Sequence, residues 1–221
     1  MGYEWQFDVV WRWLPYFMGG VRVTVLIAIT CMAGGVIFGL ITAMLRVSRV
    51  PILSRLATVY TEFFRTTPGY TQLLWIYYLL PFMMGLSPPP FWAAWFAISL
   101  NTGAFMAEIF RAGIESIGAG QWEAALALGM NKTQAYRRII LPQAIMRVVP
   151  PAASMWVSLF RDSAVVAMVA VPDLFYRARI AAFRIFRPLE IYTVVAFIYI
   201  ILCLPQARLA DYLHHRLRVR E

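Results

Sequence analysis

Three ionisable residues stand where charge is costly: Glu108 at the end of an apolar run from Phe91, and Arg161-Asp162 inside another from about Ile139 to Val171. Such groups at membrane depth face an interior or a cavity, and they mark a binding site or an ion pair. Both signs are present, which suits recognition of a zwitterion. Arg161 pairs with a carboxylate, and Glu108 or Asp162 pairs with an ammonium. Ser163 and Thr66 are hydrogen-bonding neighbours, Gln72 belongs to the same set, and Pro68 shapes a bend. The same charges also suit a structural ion pair, such as Glu108 with Arg111 at i,i+3.

Other chemistries leave no trace. The sequence contains no G-x-x-x-x-G-K-[ST] loop, no H-E-x-x-H and no G-x-S-x-G, so neither nucleotide hydrolysis nor a membrane-bound enzyme is expected of this chain. His214 and His215 are adjacent and point about 100° apart on a helix, which chelates metal poorly, so no metal site is expected. Cys31 and Cys203 lie in uncharged runs and read as small buried hydrophobes.

The elements that must position these residues follow from composition. Of 221 residues, 61% are hydrophobic and only 14% charged, and mean hydropathy is +0.66. A soluble domain carries about 45–50% apolar and about 25% charged residues, so this is an all-α polytopic membrane protein. The net charge of +9 sits in Arg residues between or at the ends of apolar runs, which excludes a nucleic-acid stripe. Met1–Gly20 carries Glu4 and Asp8 and does not read as a cleaved signal peptide.

Val23–Leu45 is free of charge, and a helix of about 23 residues covers a hydrocarbon core of roughly 30 Å. Five spans are expected, over residues 21–45, 56–86, 91–114, 140–171 and 190–212, within a single domain 1–221. The second is broken at Arg65–Gly69, because freed backbone groups are tolerated at membrane depth only against protein or a wet cavity. Arg46, Arg49, Arg55, Lys132, Arg137, Arg138, Arg216, Arg218 and Arg220 then share one side. The positive-inside bias makes that side cytoplasmic and puts the N-terminus outside. Arg177, Arg179, Arg184 and Arg187, interleaved with Phe175, Tyr176, Phe183 and Phe186, then form an amphipathic segment at the outer surface or a docking surface for an external partner. Gly35-x3-Gly39 suits close helix packing.

The polar stretch before the fourth span, residues 116–142, reads Glu123-Ala124-Ala125, three residues, Gly129, nine residues, Ile139, one residue, Leu141-Pro142. This resembles the EAA loop of ATP-binding cassette importer permeases, whose pattern it matches throughout. The residues have a physical reading of their own. Glu123 to Met130 holds good helix formers and stops at Gly129, which gives a short helix with small-sided Ala124 and Ala125, and Pro142 falls near the start of the next helix.

From about Leu14 onward the chain resembles the polar amino-acid branch, in the histidine/glutamine/glutamate importer class. The matches are Gly19-Gly20 with Thr24, Phe64-Arg65-Thr66-Thr67-Pro68 with Gln72, Ala107 to Ile114, Gly120-Gln121, Arg161-Asp162-Ser163 and Asp173-Leu174. Departures are Gly69-Tyr70 in place of an apolar pair, and Arg161 and Ala164 where Lys and Ser are commoner. The resemblance implies a multi-pass permease of the bacterial inner membrane that carries no cofactor of its own. ATP and Mg would be bound by a partner ATPase dimer in the cytoplasm, whose closure is transmitted through the 123–130 helix. It further implies a second permease chain, identical or homologous, and an external solute-binding protein. An ion-gradient-driven amino-acid carrier or channel is the competing reading, since broken spans and buried charge serve it equally well.

Overall fold

The computed structural model describes residues 3–48 and 50–217, and among them every regular element is helical. In chain order these are α1 (Asp8–Trp11), α2 (Leu14–Arg46), α3 (Pro51–Thr66), α4 (Gly69–Leu74), α5 (Leu80–Met84), α6 (Pro90–Glu115), α7 (Ala119–Ala127), α8 (Lys132–Ala135), α9 (Leu141–Asp162), α10 (Leu174–Ile185) and α11 (Pro188–Leu217). Several begin where proline sets the helical φ at no hydrogen-bonding loss, as at Pro15, Pro51, Pro90 and Pro188. Arg49 and the tail residues Arg218 and Arg220, read above as part of a basic side, lie outside the described residues.

Four helical segments are long and apolar enough to cross a membrane: α2, α6, Lys132–Val169 and α11. The remaining pass is α3 to α5, broken at Thr67-Pro68, where the backbone turns extended for two residues. The helices outrun the expected spans. The first starts at Leu14 and takes in Arg22, the second starts at Pro51, and the fourth starts at Lys132, inside what reads from sequence as the polar loop.

Two π-helical stretches explain how prolines sit inside continuous helix. Trp75–Leu79 precedes Pro81, and Tyr136–Ile140 precedes Pro142. A proline has no N–H and its ring crowds the carbonyl four residues back; widening the preceding turn relieves both, and Leu80 and Leu141 bond back five residues, to Trp75 and Tyr136. Pro142 therefore lies within a helix that begins ten residues earlier. That helix is capped by Asn131, whose side chain and that of Gln134 form a reciprocal capping box.

Helices α2 and α6 run parallel, since Gly34 faces Ser99, Gly35 faces Thr102 and Gly39 faces Met106. A Cβ on Gly35 would lie 2.4 Å from the Thr102 methyl, and one on Gly39 would lie 2.6 Å from the Met106 Cβ. The small-residue spacing thus lets two backbones of this one chain approach, where dispersion rather than water exclusion holds helices together. Parallel neighbours need a return pass between them, which α3 to α5 supplies. Helix α9 runs back beside α6, with Val148 against Gly113, and α11 packs along α9.

The Arg-rich segment after the fourth pass is helix α10, which buries Leu174, Ala178, Ala181 and Ala182 against α2 and α11. Thr24 accepts from the Leu174 N–H at 3.1 Å, and Arg177 donates to the Tyr16 carbonyl at 2.9 Å while covering its ring. Gly19 and Gly20 leave room for that contact, because Cβ atoms there would meet the Arg177 guanidinium and the Leu174 backbone. Arg179 donates to the Ala167 carbonyl, and Arg187 to the Glu4 carbonyl and to Glu190. Three of the four arginines are therefore spent on internal carbonyls and a carboxylate, and α10 is a docked element of the fold rather than a segment lying apart from it.

Candidate functional site

The break in the second pass builds a cavity. At Thr67 and Pro68 the chain is extended, and Pro68 caps α4, so the Phe64 carbonyl loses its helical partner. Gln72, 3% exposed, closes the gap by donating to the carbonyls of Phe64 and Thr67 at 3.0 Å each. Asn101 on α6 donates to the Phe64 carbonyl and to the Gln72 side-chain oxygen, both at 2.9 Å. Backbone groups freed at the break are thus satisfied by protein, as burial in an apolar solvent requires.

Beside this clasp lies a cavity of about 600 Å³, walled by Thr67, Gly69 and Tyr70 of the break, by Ile98, Asn101, Thr102 and Phe105 of α6, and by Met155, Ser158, Leu159 and Asp162 of α9. Its size falls within the roughly 300–1,000 Å³ of small-molecule sites. Asp162 is the only carboxylate, and no Lys or Arg appears, among the described lining residues. The hydroxyl of Thr102 is buried without a partner among the described residues. The arrangement offers one negative charge, several hydroxyl and amide groups and an apolar wall, a set that accepts an ammonium together with uncharged polar groups.

The sequence-predicted residues divide among different places. Asp162 lines the cavity, with its side chain 72% exposed and 3.7 Å from the Arg161 guanidinium. The Arg161 side chain is itself 68% exposed and is not among the lining residues. Ser163 is buried and donates to the Phe160 carbonyl at 2.8 Å. Thr66 donates to the Glu62 carbonyl at 2.7 Å, one residue before the cavity wall. Glu108 lies two turns of α6 beyond Asn101, bound by Arg46 at 2.8 Å and by Arg111. Thr67 and Tyr70 stand out from sequence only through the family resemblance, and Asn101, Thr102 and Ser158 not at all, since ordinary polar residues in apolar runs carry no sign of which face they take.

The second feature is α7, which projects between α6 and α8. It ends in a Schellman motif: Met130 N–H donates to the Ala125 carbonyl at 3.1 Å, Gly129 N–H to Leu126 at 2.9 Å, and Gly129 adopts φ +80. Ala125 is fully buried, while Glu123, Ala124, Leu126 and Leu128 are exposed. The helix is braced from behind. Trp122 stacks on Tyr136, Gln143 donates to Gln121, and Ile139 packs on a small cluster of Ile117, Ile140 and Ala144. Leu141 and Pro142 open α9 directly after the π-helical stretch, so a push on α7 has a continuous helix to act on.

A family model described as "Binding-protein-dependent transport system inner membrane component" matches residues 35–219. The chain is 35% identical over 210 residues, 94% of its length and 93% of the relative's, to the "Probable amino-acid permease protein YxeN" of Bacillus subtilis (strain 168). It is 32% identical over 220 residues, 99% and 100% of the two lengths, to the "Glutamine transport system permease protein GlnP" of Escherichia coli (strain K12). A solved amino acid ABC transporter "with histidines" superposes with a TM-score of 0.92 at 32% identity, over 97% of this chain and 100% of that one. A chain of the MetNI methionine ABC transporter shares the fold with a TM-score of 0.76 at 21% identity, over 94% and 99% of the two chains. The chain thus belongs to the inner membrane components of binding-protein-dependent transport systems, in the branch of amino-acid ABC permeases.

Proposed function

We propose that this chain carries a polar amino acid or amino-acid derivative across the inner membrane, and that Asp162 receives the ammonium of the substrate in the cavity at the helix break. The observation that carries this reading is a cavity of small-molecule size whose only charged lining residue, among the described residues, is a carboxylate. Asn101, Thr67 and Ser158 supply hydrogen bonds to the polar remainder. A cationic or zwitterionic ligand fits this lining better than a dianionic one.

Energy comes from a partner. With no phosphate-binding loop in the chain, a cytoplasmic ATPase dimer holding ATP and Mg docks on Glu123, Ala124 and the exposed leucines of α7, and Gly129, Ile139, Leu141 and Pro142 hold that helix rigid against α9. Nucleotide must favour one of two states for this to drive transport. A second permease chain, identical or homologous, closes the pathway, and an external solute-binding protein delivers substrate. The N-terminus lies outside and the C-terminus in the cytoplasm. Internal pairing of Arg177, Arg179 and Arg187 supports this orientation, since it explains arginines on the outer side by a structural demand.

The test is purification in mild detergent from the native cell, of the intact chain and of Gly129→Asp, with mass spectrometry of what accompanies each. An ATPase present with the intact chain and lost from Gly129→Asp is expected. An intact chain that brings down no ATPase contradicts the docking role and favours the gradient-driven carrier.

A further inference from the structure

One carboxylate ties the ends of three helices together. Glu108 on α6 accepts from Arg46, the last residue of α2, at 2.8 Å, and from Arg111 through its Nε at 3.2 Å and a second nitrogen. Arg65, in the last turn of α3, stands 3.8 Å away. Arg111 also binds Glu115. Arg46, Glu108 and Arg111 are partly shielded, with side chains 15–31% exposed, and Arg65 is more open at 34%. A carboxylate has room for about four donors, and here it already faces three guanidiniums. A ligand ammonium would compete with all of them, so Glu108 is better placed to organise than to bind.

The contacts differ in kind. Those to Arg46 and Arg111 are hydrogen bonds, whereas 3.8 Å to Arg65 is an ion contact only. The Arg65 guanidinium also lies over the Phe105 ring at 5.8 Å, and Phe105 is a wall of the cavity. Two residues beyond Arg65 comes Thr67, another wall. We propose that Glu108 is a positioning residue: through Arg65 it fixes where the broken pass enters the cavity, and so couples the closed ends of α2 and α6 to the shape of the site. The inference rests on the reading of that cavity as the substrate site only for its consequence in transport; the positioning itself is a matter of geometry.

The test measures position directly, in native membranes. Thr67→Cys and Ser158→Cys are made separately in a background carrying Cys31→Ala and Cys203→Ala, and each is labelled with a membrane-permeant maleimide. Each is then combined with Glu108→Gln, Arg65→Gln or Arg65→Lys. Both walls line the cavity, but among the described residues Ser158 on α9 makes no hydrogen bond or ion pair with the Glu108 cluster. Glu108→Gln and Arg65→Gln are expected to change the labelling rate at Thr67→Cys by about fivefold, and at Ser158→Cys by less than about twofold. Arg65→Lys keeps the charge and is expected to label as the parent, because the contact is ionic and not a fork. Equal changes at both cysteines, no change at Thr67→Cys, or an Arg65→Lys as disruptive as Arg65→Gln would each overturn the proposal. Labelling needs no transport, so loss of uptake in Asp162→Asn tests the substrate site separately.

Discussion

Asn101 donates its side-chain N–H to the Gln72 side-chain oxygen at 2.9 Å, and both amides hold the Phe64 carbonyl that the break in the second pass leaves open. This pair is what makes a broken helix admissible at membrane depth. Replacing Gln72 by Leu takes the side-chain donor from the Thr67 carbonyl, leaves the Phe64 carbonyl to Asn101 alone, and removes the oxygen that Asn101 donates to. Each lost bond to a buried acceptor costs about 1–3 kcal/mol, so the variant is expected to unfold well below the parent in a detergent thermal-shift measurement. An unchanged transition would mean that the clasp contributes nothing.

The contact between α2 and α6 gives a sharper contrast. A side chain at Gly39 would meet the Met106 Cβ at 2.6 Å and the Ala107 N and Gly103 O at 3.0 Å, whereas nothing lies within 4 Å of a Cβ on Gly120. Gly39→Leu is expected to lose about 3 kcal/mol or more, seen as loss of the monodisperse peak on fluorescence size-exclusion, because backbone cannot yield as a side chain does. Gly120→Leu should keep that peak.

Asp173 caps α10 through its bond to the Tyr176 N–H, is fully buried, and has one carboxylate oxygen without a partner among the described residues. Burial pushes its pKa up from 3.8 to about 6, against the lowering effect of backbone N–H bonds and of Arg179 on the same helix; Tyr199 of α11 faces it from the other side. A raised carboxyl pKa means that the folded state holds the proton more tightly than the unfolded one. That stabilisation is complete below about pH 4 and is lost as pH rises through about 6, with a total of about 3 kcal/mol. Thermal stability in detergent should therefore fall between pH 5 and pH 7.5 in the parent by more than in Asp173→Asn, which keeps the cap without the charge. Equal pH profiles for the two would remove Asp173 as the cause.

The passes were legible because their signal is collective: long uncharged runs, prolines at helix starts and a glycine spacing each state a physical requirement. The helix over Glu123–Ala127 was legible for the same reason, since Gly129 at φ +80 is a need that the residue type itself declares. Side-chain destinations were not. Glu108 and Asp162 look alike as acids at membrane depth, yet one is enclosed by arginines and the other opens on a cavity. Only the register of α6 against α2 and α9 separates them, and register comes from packing. Arg177 reads from sequence as part of an amphipathic face, whereas Gly19, Gly20 and the Tyr16 carbonyl, far away in the chain, give it an internal partner. Pro142 near the start of α9 was legible, but the continuation of that helix back to Lys132 was not, because the π-helical stretch that absorbs the proline has no composition of its own.

Under the proposed function this chain moves an ammonium-bearing solute past Asp162 at the expense of ATP. The most direct measurement reconstitutes the purified complex in proteoliposomes with its solute-binding protein and follows uptake of radiolabelled polar amino acids, with and without ATP on the ATPase side, for the parent and for Asp162→Asn. ATP-dependent accumulation by the parent and a loss of at least about tenfold in Asp162→Asn, with the ATPase still bound, are expected. Accumulation driven by an ion gradient in the absence of ATP, or full uptake by Asp162→Asn, would contradict the proposed function.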